Sequence, residues 1–418
     1  MTSPYFPVKL ENVSGYTRHL ESINKNFSSM VTRVTGFANI NTGSTNFSGL
    51  DKMLGVLKKE FGILGGKTEI LKPGIVTGIN SKGELTPQAV GKILRLTKRP
   101  RAPHQVLLVG HYDTVFGIKH KFQKVRRINK NTLNGPGVSD LKGGLVVMLE
   151  ALKTLEKSPF ADKIGWQVIL NPDEEIGSFG SAKYLQQGAR RSHVGLVFEP
   201  SLPDGTLAGK RKGNGNYTVV FRGVPAHVGR EHDKGRSAIL ALAKFTLAVE
   251  LLNQKMKTAI FNVGHVEGGG PTNVVPDLAI GHVNIRAEHP QDIPLIEAEL
   301  KNLIMQANNT DGISATLHGF FNRPPKEITP AMQKLFEALK SCAQEEGFVL
   351  KMQATGGCCD GNNLAAAGLP NLDSLGVRGG DIHSDREYIL LDSLTERARL
   401  VALFLMRLAN GDFSLKGE

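Results

Sequence analysis

The stretch Gln105–Thr114, QVLLVGHYDT, carries the clearest structural signal in the chain. Residues 105–110 carry a continuous apolar run that ends in glycine, which is typical of a short strand buried inside a sheet. His111 and Asp113 follow at once, and residues two apart in an extended chain point to the same side. An imidazole and a carboxylate therefore stand together at the strand's C-terminal end, where open α/β sheets bind ligands. Alone, a His-x-Asp pattern is a weak signal that two ordinary polar loop residues would also explain.

Length and composition indicate a globular protein with room for two domains. The chain has 418 residues, with 40% hydrophobic and 22% charged residues. No run approaches the ~18 apolar residues of a membrane span, and residues 1–15 lack the basic and apolar regions of a secretory signal. We therefore expect a cytoplasmic protein with no membrane partner. The three cysteines form no CxxC pair, which agrees with a reducing compartment.

The net charge of +12 would attract anions. The lysines and arginines are scattered, however, with only short clusters such as residues 210–212, and no nucleic-acid-binding motif accompanies them. We therefore expect small anionic molecules, and no nucleic acid, as partners.

A carboxylate precedes the next predicted helix. Residues 134–140, NGPGVSD, form a Gly/Pro-rich turn region, and the spacing predicts a helix from about Lys142. Asp140 therefore lies at a helix N-terminus, where backbone N–H groups and the helix dipole favour an anion. Taken alone, this position favours a plain N-cap aspartate.

Acidic residues follow the next two predicted strands. The strand at 165–170 leads into residues 171–175, NPDEE, and a further strand at 193–198 ends at Glu199. Three consecutive carboxylates repel one another unless a cation lies between them. This favours a metal site over a solvated acidic loop.

The polar groups at these strand ends and one histidine near the C-terminus form a single candidate set: His111, Asp113, Asp140, Glu174, Glu175, Glu199 and His383. Imidazole nitrogen and carboxylate oxygen are ligands that Zn²⁺ takes in proteins. The set is too large for one catalytic zinc with an open position, and it fits two metals bridged by one carboxylate.

A second unit interrupts the α/β pattern near Gly213. The order of elements from there to about residue 320 is strand, helix, strand, strand, helix, strand, which resembles a ferredoxin-like α+β unit. Two prolines at 324–325 close it, and the remaining chain returns to the α/β pattern. The fold class predicted is α/β, a mixed and largely parallel sheet flanked by helices with this unit inserted. The predicted domains are residues 1–212, 213–322 and 323–418.

Nine motifs together resemble the M20 family of dizinc metallopeptidases and deacylases, and they are most similar to its glutamate carboxypeptidase (carboxypeptidase G2-like) branch. Each motif is weak alone, but their order and spacing are specific. They are GHYDTV (110–115), GPGVSDLKGG (135–144), NPDEEIGS (171–178), FEP (198–200), RGVPAHVG (222–229), TNVVP (272–276), NIRAEH (284–289), TGGCCDG (355–361) and IHSDREYI (382–389).

The resemblance implies a role for each member of the candidate set. His111 and Glu199 would hold one zinc, Glu175 and His383 would hold the other, and Asp140 would bridge them. Glu174 would be the general base, and Asp113 would orient His111. The implied cofactors are two Zn²⁺ per chain, with Co²⁺ or Mn²⁺ able to substitute. A non-proline cis peptide bond is implied between Asp140 and Leu141.

The resemblance also makes the insert a lid and dimerisation domain on a zinc-peptidase-like catalytic domain. Its implied substrate contacts are His227, Asn273, Arg286 and, in the Gly-rich loop, Gly356. In relatives the lid histidine and asparagine reach into the partner subunit's site, so a homodimer is expected. Without the resemblance, His227 would be interpreted as an exposed turn histidine.

The implied function is zinc-dependent, carboxypeptidase-like cleavage of an amide bond beside a free carboxylate. The substrate would be an N-acyl amino acid or a short peptide. The alternative within the family is an N-acyl-amino-acid deacylase, such as an acetylornithine deacetylase or succinyl-diaminopimelate desuccinylase-like enzyme. A non-catalytic binding protein on the same fold is the alternative of another class, and Glu174 argues against it because binding alone needs no general base. Two features depart from the family pattern, the apolar Leu141 and the Cys358-Cys359 pair.

Overall fold

The computed structural model describes residues 13–413. Most of the N-terminal segment on which the expected absence of a secretory signal rests lies outside these residues, as do the last five residues of the chain. The described α-helices are α1 (Val13–Lys25), α2 (Phe27–Ala38), α3 (Phe47–Gly62), α4 (Gly143–Glu156), α5 (Ala182–Ala189), α6 (Val228–Glu231), α7 (Ala238–Lys255), α8 (Asp292–Asn308), α9 (Pro330–Glu345), α10 (Asp360–Ala366) and α11 (Asp392–Asn410).

The described strands form one large sheet and several smaller ones. They are β1 (Lys67–Leu71), β2 (Val76–Ile79), β3 (Leu85–Gln88), β4 (Ile93–Lys98), β5 (His104–His111), β6 (Arg126–Arg127), β7 (Thr132–Asn134), β8 (Ile164–Asn171), β9 (Val194–Val197), β10 (Leu207–Arg211), β11 (Gly213–Arg222), β12 (Ala259–Gly268), β13 (Leu278–Ala287), β14 (Ser314–Arg323), β15 (Met352–Thr355), β16 (Asn371–Leu372), β17 (Gly379–Gly380) and β18 (Tyr388–Leu390).

The large sheet has the strand order β1-β4-β8-β5-β9-β16. Strands β8, β5, β9 and β16 run parallel, and β4 and β1 continue the sheet in antiparallel pairing. Val109 of β5 lies opposite Ile169 of β8 and Val197 of β9. This register brings the C-terminal ends of the three central strands to one edge of the sheet, as predicted.

Helices cover both faces of this sheet because the side chains of its strands alternate. On β5, Val106 and Leu108 belong to the larger core, which also includes side chains of α4 and α11. Leu107 and Val109 belong to a smaller core on the other face, with side chains of α5 and α10. A strand buried on both faces reads as an unbroken apolar run. The pattern at 105–110 therefore follows from the layered fold.

The inserted unit is an antiparallel four-stranded sheet of order β12-β13-β11-β14 with helices α7 and α8. Its separate core draws on alternate residues such as Tyr217, Val219 and Phe221, and on apolar side chains of both helices. The chain order β11-α7-β12-β13-α8-β14 is that of a ferredoxin-like unit. The predicted fold class is therefore confirmed. The division of the chain at residues 212 and 322 stays a prediction.

A small sheet brings two distant loops together. Its order is β17-β18-β7-β6, and Ile389 of β18 lies opposite Leu133 of β7. The segment after β7 carries Asp140, and the loop between β17 and β18 carries His383. No helix within residues 13–413 is long and apolar enough to cross a membrane.

Gly144 permits a close approach that positions the end of β9. A Cβ atom at Gly144 on α4 would lie 2.1 Å from the carbonyl oxygen of Phe198, so we expect Gly144→Ala to force the helix and this segment apart. Overpacking of this kind typically costs about 1–3 kcal/mol of unfolding free energy. Chemical denaturation should show an earlier unfolding midpoint. Gly36→Ala is the control, because Gly36 lies in α2 with open space around its Cβ position. Coinciding midpoints for the two variants would contradict this role of Gly144.

Candidate metal centre

His111 ends β5 with its imidazole buried against two carboxylates. Its Nε2 atom lies 3.0 Å from Asp140 Oδ1 and 3.8 Å from Glu199 Oε1. These three residues offer one donor atom each within 4.8 Å of one another. They form the first group of candidate metal ligands.

Asp140 also belongs to a second group of candidate ligands. His383 Nε2 lies 3.2 Å from Asp140 Oδ2 and 3.2 Å from Glu175 Oε2. Asp140 thus directs one carboxylate oxygen to each group. Tetrahedral coordination with bonds of about 2.0–2.1 Å places neighbouring donors about 3.3 Å apart, so both groups have donor spacings that suit a metal of this kind.

Asp113 connects the first group to the acidic loop after β8. Its Oδ1 atom lies 3.3 Å from His111 Nδ1, and its carboxylate accepts hydrogen bonds from the backbone N–H groups of Glu174 and Glu175 and from the Ser44 hydroxyl. A carboxylate at Nδ1 favours a His111 tautomer with Nε2 free to bind a metal.

Glu387 holds the segment that carries Asp140. Its buried carboxylate accepts hydrogen bonds from the backbone N–H groups of Gly137, Ser139 and Asp140, at 2.9–3.1 Å. Burial and the neighbouring Asp140 raise the pKa of Glu387 to about 7. The peptide bond from Asp140 to Leu141 is cis, which confirms the expectation. Sequence reasoning missed Glu387, although it lies inside the motif IHSDREYI.

The pKa shifts in the two groups show an environment that suits a bound cation. Burial and the nearby Asp140 raise the pKa of Glu175 to about 7, and burial raises the pKa of Glu199. Burial favours neutral His111, yet hydrogen bonds to carboxylates outweigh it and raise the pKa of His111 well above its usual range. Hydrogen bonds to Asp140 and Glu175 raise the pKa of His383 to about 11. Buried carboxylates that depend on two imidazoles for compensation are the environment that cations stabilise.

Glu174 lies beside both groups and belongs to neither. Its carboxylate Oε1 is 2.9 Å from Arg323 Nη2, and Arg323 also donates to the Glu174 carbonyl and to Ser178 Oγ. Burial raises the pKa of Glu174 well above its usual range although the guanidinium opposes this shift. Sequence reasoning missed Arg323, and its place directly before the two prolines carried no signal of this contact.

Of the predicted substrate contacts, Arg286 lies close to Arg323. Its Nη1 atom is 3.1 Å from Cys358 Sγ, and Arg323 Nη1 is 3.8 Å from the same sulfur. Two guanidinium groups therefore converge on one thiol. Gly356 lies exposed in the same loop as Cys358, with open space where a side chain would be.

The other two predicted contacts lie on the exposed surface of the insert. The Val228 backbone N–H donates to the Asn273 carbonyl, so His227 and Asn273 are neighbours. His227 accepts a hydrogen bond from the Gly229 N–H. Within residues 13–413, neither side chain is hydrogen-bonded to a candidate metal ligand. The structure does not bring these two residues to the metal groups of their own chain.

Comparison with known proteins extends these observations. The model of peptidase family M20/M25/M40 matches residues 107–407. The chain is 29% identical to carboxypeptidase G2 of Pseudomonas sp. (strain RS-16) over 380 residues, which cover 89% of this chain and 88% of the relative. It is 23% identical to succinyl-diaminopimelate desuccinylase of Gluconobacter oxydans (strain 621H) over 293 residues, covering 66% and 74%.

Two solved structures share the fold. The M20 family metallo-carboxypeptidase Sso-CP2 from Sulfolobus solfataricus has a TM-score of 0.69 at 19% identity, covering 91% of this chain and 99% of that one. The Bacillus subtilis YXEP protein, described as a dinuclear metal binding peptidase from the M20 family, has a TM-score of 0.61 at 14% identity, covering 93% and 99%.

Proposed function

This chain belongs to peptidase family M20/M25/M40, and we propose that it is a dizinc hydrolase that cleaves an amide bond beside a free carboxylate. The enzyme is a metallohydrolase of carboxypeptidase-like type. The observation that carries the proposal is the carboxylate of Asp140, which offers one oxygen to each of two imidazole-containing donor groups.

Each donor group would hold one metal ion. His111, Glu199 and Asp140 would bind the first, and Glu175, His383 and Asp140 the second. We propose Zn²⁺ at both, with Co²⁺ or Mn²⁺ able to substitute, because imidazole with carboxylate suits these ions. Bound metal ions would supply a nucleophile at neutral pH and polarise the scissile carbonyl.

Glu174 is the proposed general base and acid. It would accept the proton of the attacking water and then deliver a proton to the leaving amine, so one carboxylate serves both halves of the reaction. Its position directly before Glu175, its burial and its absence from both donor groups support this role. Arg323 would keep the carboxylate in place during both transfers.

Arg286 is the proposed binding group for the free carboxylate of the substrate. A guanidinium binds a carboxylate through two parallel hydrogen bonds, and Arg286 Nη1 reaches Cys358 in the same loop as Gly356. Gly356 would leave room for the substrate backbone. An N-acyl amino acid or short peptide fits this arrangement. The similarity to desuccinylases supports an N-acyl-amino-acid deacylase as the second candidate.

A homodimer with a composite site is the proposed assembly. His227 and Asn273 lie exposed on the insert and belong to neither donor group of their own chain, which supports a role in a partner subunit's site. We also propose a cytoplasmic location, which the free cysteines support because reducing compartments keep thiols unpaired.

The role of Glu174 is tested by Glu174→Gln. Glutamine keeps the shape of the side chain and cannot accept the proton, so we expect kcat to fall at least ~10²-fold with little change in KM. Metal content, measured by elemental analysis, should stay at the wild-type value. Glu175→Gln is the matched comparison and should lose metal. Loss of metal from Glu174→Gln would reverse the two assignments, and full activity would place the base elsewhere.

The substrate class is tested with N-acyl amino acids, dipeptides and the same compounds amidated at the carboxyl end. We expect the zinc-loaded enzyme to release free amine from the acids and to prefer them strongly over the amides. Arg286→Lys should lower kcat/KM for the acids because lysine cannot form the paired hydrogen bonds of a guanidinium. Equal losses on acids and amides would assign Arg286 a structural role only.

The composite site is tested by mixing two inactive variants, His227→Ala and Glu174→Gln. A hybrid dimer contains one site with an intact Glu174 and an intact partner His227, so part of the activity should return. Subunit exchange must be verified with differently tagged chains. If exchange occurs without recovery of amide hydrolysis, the site is complete within one subunit.

A further inference from the structure

The four-stranded sheet of the insert has a polar face that points away from α7 and α8. A groove of about 600 Å³ lies between this face and strands β2 and β3. Even-numbered residues of β11 and β13, such as Thr218 and His282, line the groove, while odd-numbered neighbours such as Val219 and Ile285 enter the core. None of the candidate metal ligands described above lines this groove.

A bulge in β12 places a second histidine on this face. Val263 pairs with Val283, and the next pair along the strand joins His265 to His282, so Gly264 is the extra residue. A bulge shifts the alternation of side chains by one residue and can redirect a side chain. Without the bulge, the His265 side chain would lie on the same face of the sheet as the Val263 side chain, which packs against the core. The bulge therefore sets two imidazoles directly opposite each other across neighbouring strands.

Glu267 completes a three-residue cluster with the two histidines. It lies two residues after His265, on the same side of the strand. Its Oε1 atom is 3.2 Å from His282 Nε2 and 3.5 Å from His265 Nε2, and the two rings stack with centroids 5.4 Å apart. The two oxygen–nitrogen distances are close to the ~3.3 Å between neighbouring donors around a tetrahedral metal with bonds of about 2.0–2.1 Å.

Thr218 fixes the orientation of one imidazole. Its hydroxyl lies 3.2 Å from His282 Nδ1, on the opposite side of the ring from Glu267. A partner at one ring nitrogen sets the tautomer and aims the other nitrogen at a metal, which is the usual arrangement around protein metal sites. The cluster thus has both a donor set and a group that orients it.

We propose that His265, Glu267 and His282 form a separate binding site for a divalent transition-metal ion, Zn²⁺ being the best match. Two imidazoles favour zinc and related ions over Ca²⁺ and Mg²⁺, which prefer oxygen ligands. Three protein ligands would leave a further coordination position for water or another donor, and two of them, His265 and His282, line the groove. The side chains are 64%, 38% and 34% exposed, so an ion can reach them from solvent.

The site is tested by zinc binding to metal-stripped protein in equilibrium dialysis followed by elemental analysis. Wild type should retain one more equivalent than His282→Ala or His265→Ala. Glu267→Gln, which preserves side-chain shape, should bind that equivalent at least ~10-fold more weakly, as removal of a ligand or its supporting partner typically does. The matched control is His318→Ala, because His318 lies opposite Thr218 in the same sheet and outside the cluster. This control should bind as wild type does.

Copper provides a second readout that does not depend on counting equivalents. One equivalent of Cu²⁺, added to protein loaded with only the two equivalents of Zn²⁺ expected at the other centre, should give an electron paramagnetic resonance spectrum with nitrogen coupling that is lost in His265→Ala and His282→Ala and kept in His318→Ala. Circular dichroism must show that each variant is folded. Equal zinc content in wild type and the two histidine variants, with unchanged copper spectra, would overturn the proposal and leave the cluster as imidazole–carboxylate hydrogen bonds.

Discussion

At the centre of the candidate metal site, one carboxylate lies between two imidazoles. Asp140 lies 3.0 Å from His111 and 3.2 Å from His383, residues that enter the centre from different parts of the chain. The segment around Asp140 cannot move freely, because three of its backbone N–H groups donate to the buried carboxylate of Glu387. Removing a buried acceptor leaves its donors unsatisfied, at a cost of about 1–3 kcal/mol for each group. The loop that brings His383 thus also secures the aspartate that His383 contacts.

The same arrangement brings several carboxylates together, and their negative charges must be compensated. Asp140, Glu174, Glu175 and Glu199 place four carboxyl groups in a largely buried space. Burial of a charge is expensive unless another charge or a metal compensates it. Arg323 compensates Glu174 directly, while the other three carboxylates face the two imidazoles. This division separates a carboxylate available for proton transfer from carboxylates available as ligands.

The insert contributes to this centre through its strands. Arg286 on β13 and Arg323 at the end of β14 bring their guanidinium groups to Cys358, in the loop before α10. Beside them, Asn284 donates to Asn214, Asn214 to Asn322, and Asn322 to the carbonyl of Gly177, which follows the acidic loop. Strand β14, at the edge of the insert's sheet, is therefore hydrogen-bonded to the segment that carries Glu174 and Glu175, and side chains of β11 and β13 continue this network. Any movement of the insert would displace this network.

Features that depend on local periodicity could be predicted from the sequence. The two-residue repeat of a strand places His111 beside Asp113, and the order of apolar runs predicts the layered sheet and the ferredoxin-like insert. Tertiary structure alone decided the contacts between distant segments. Arg323 reaches a residue 149 positions away, Glu387 one 247 positions away, and the bulge at Gly264 decides whether His265 faces its partner. Such contacts depend on strand register and on the packing of layers, and neither is encoded in the periodicity of the segments that meet.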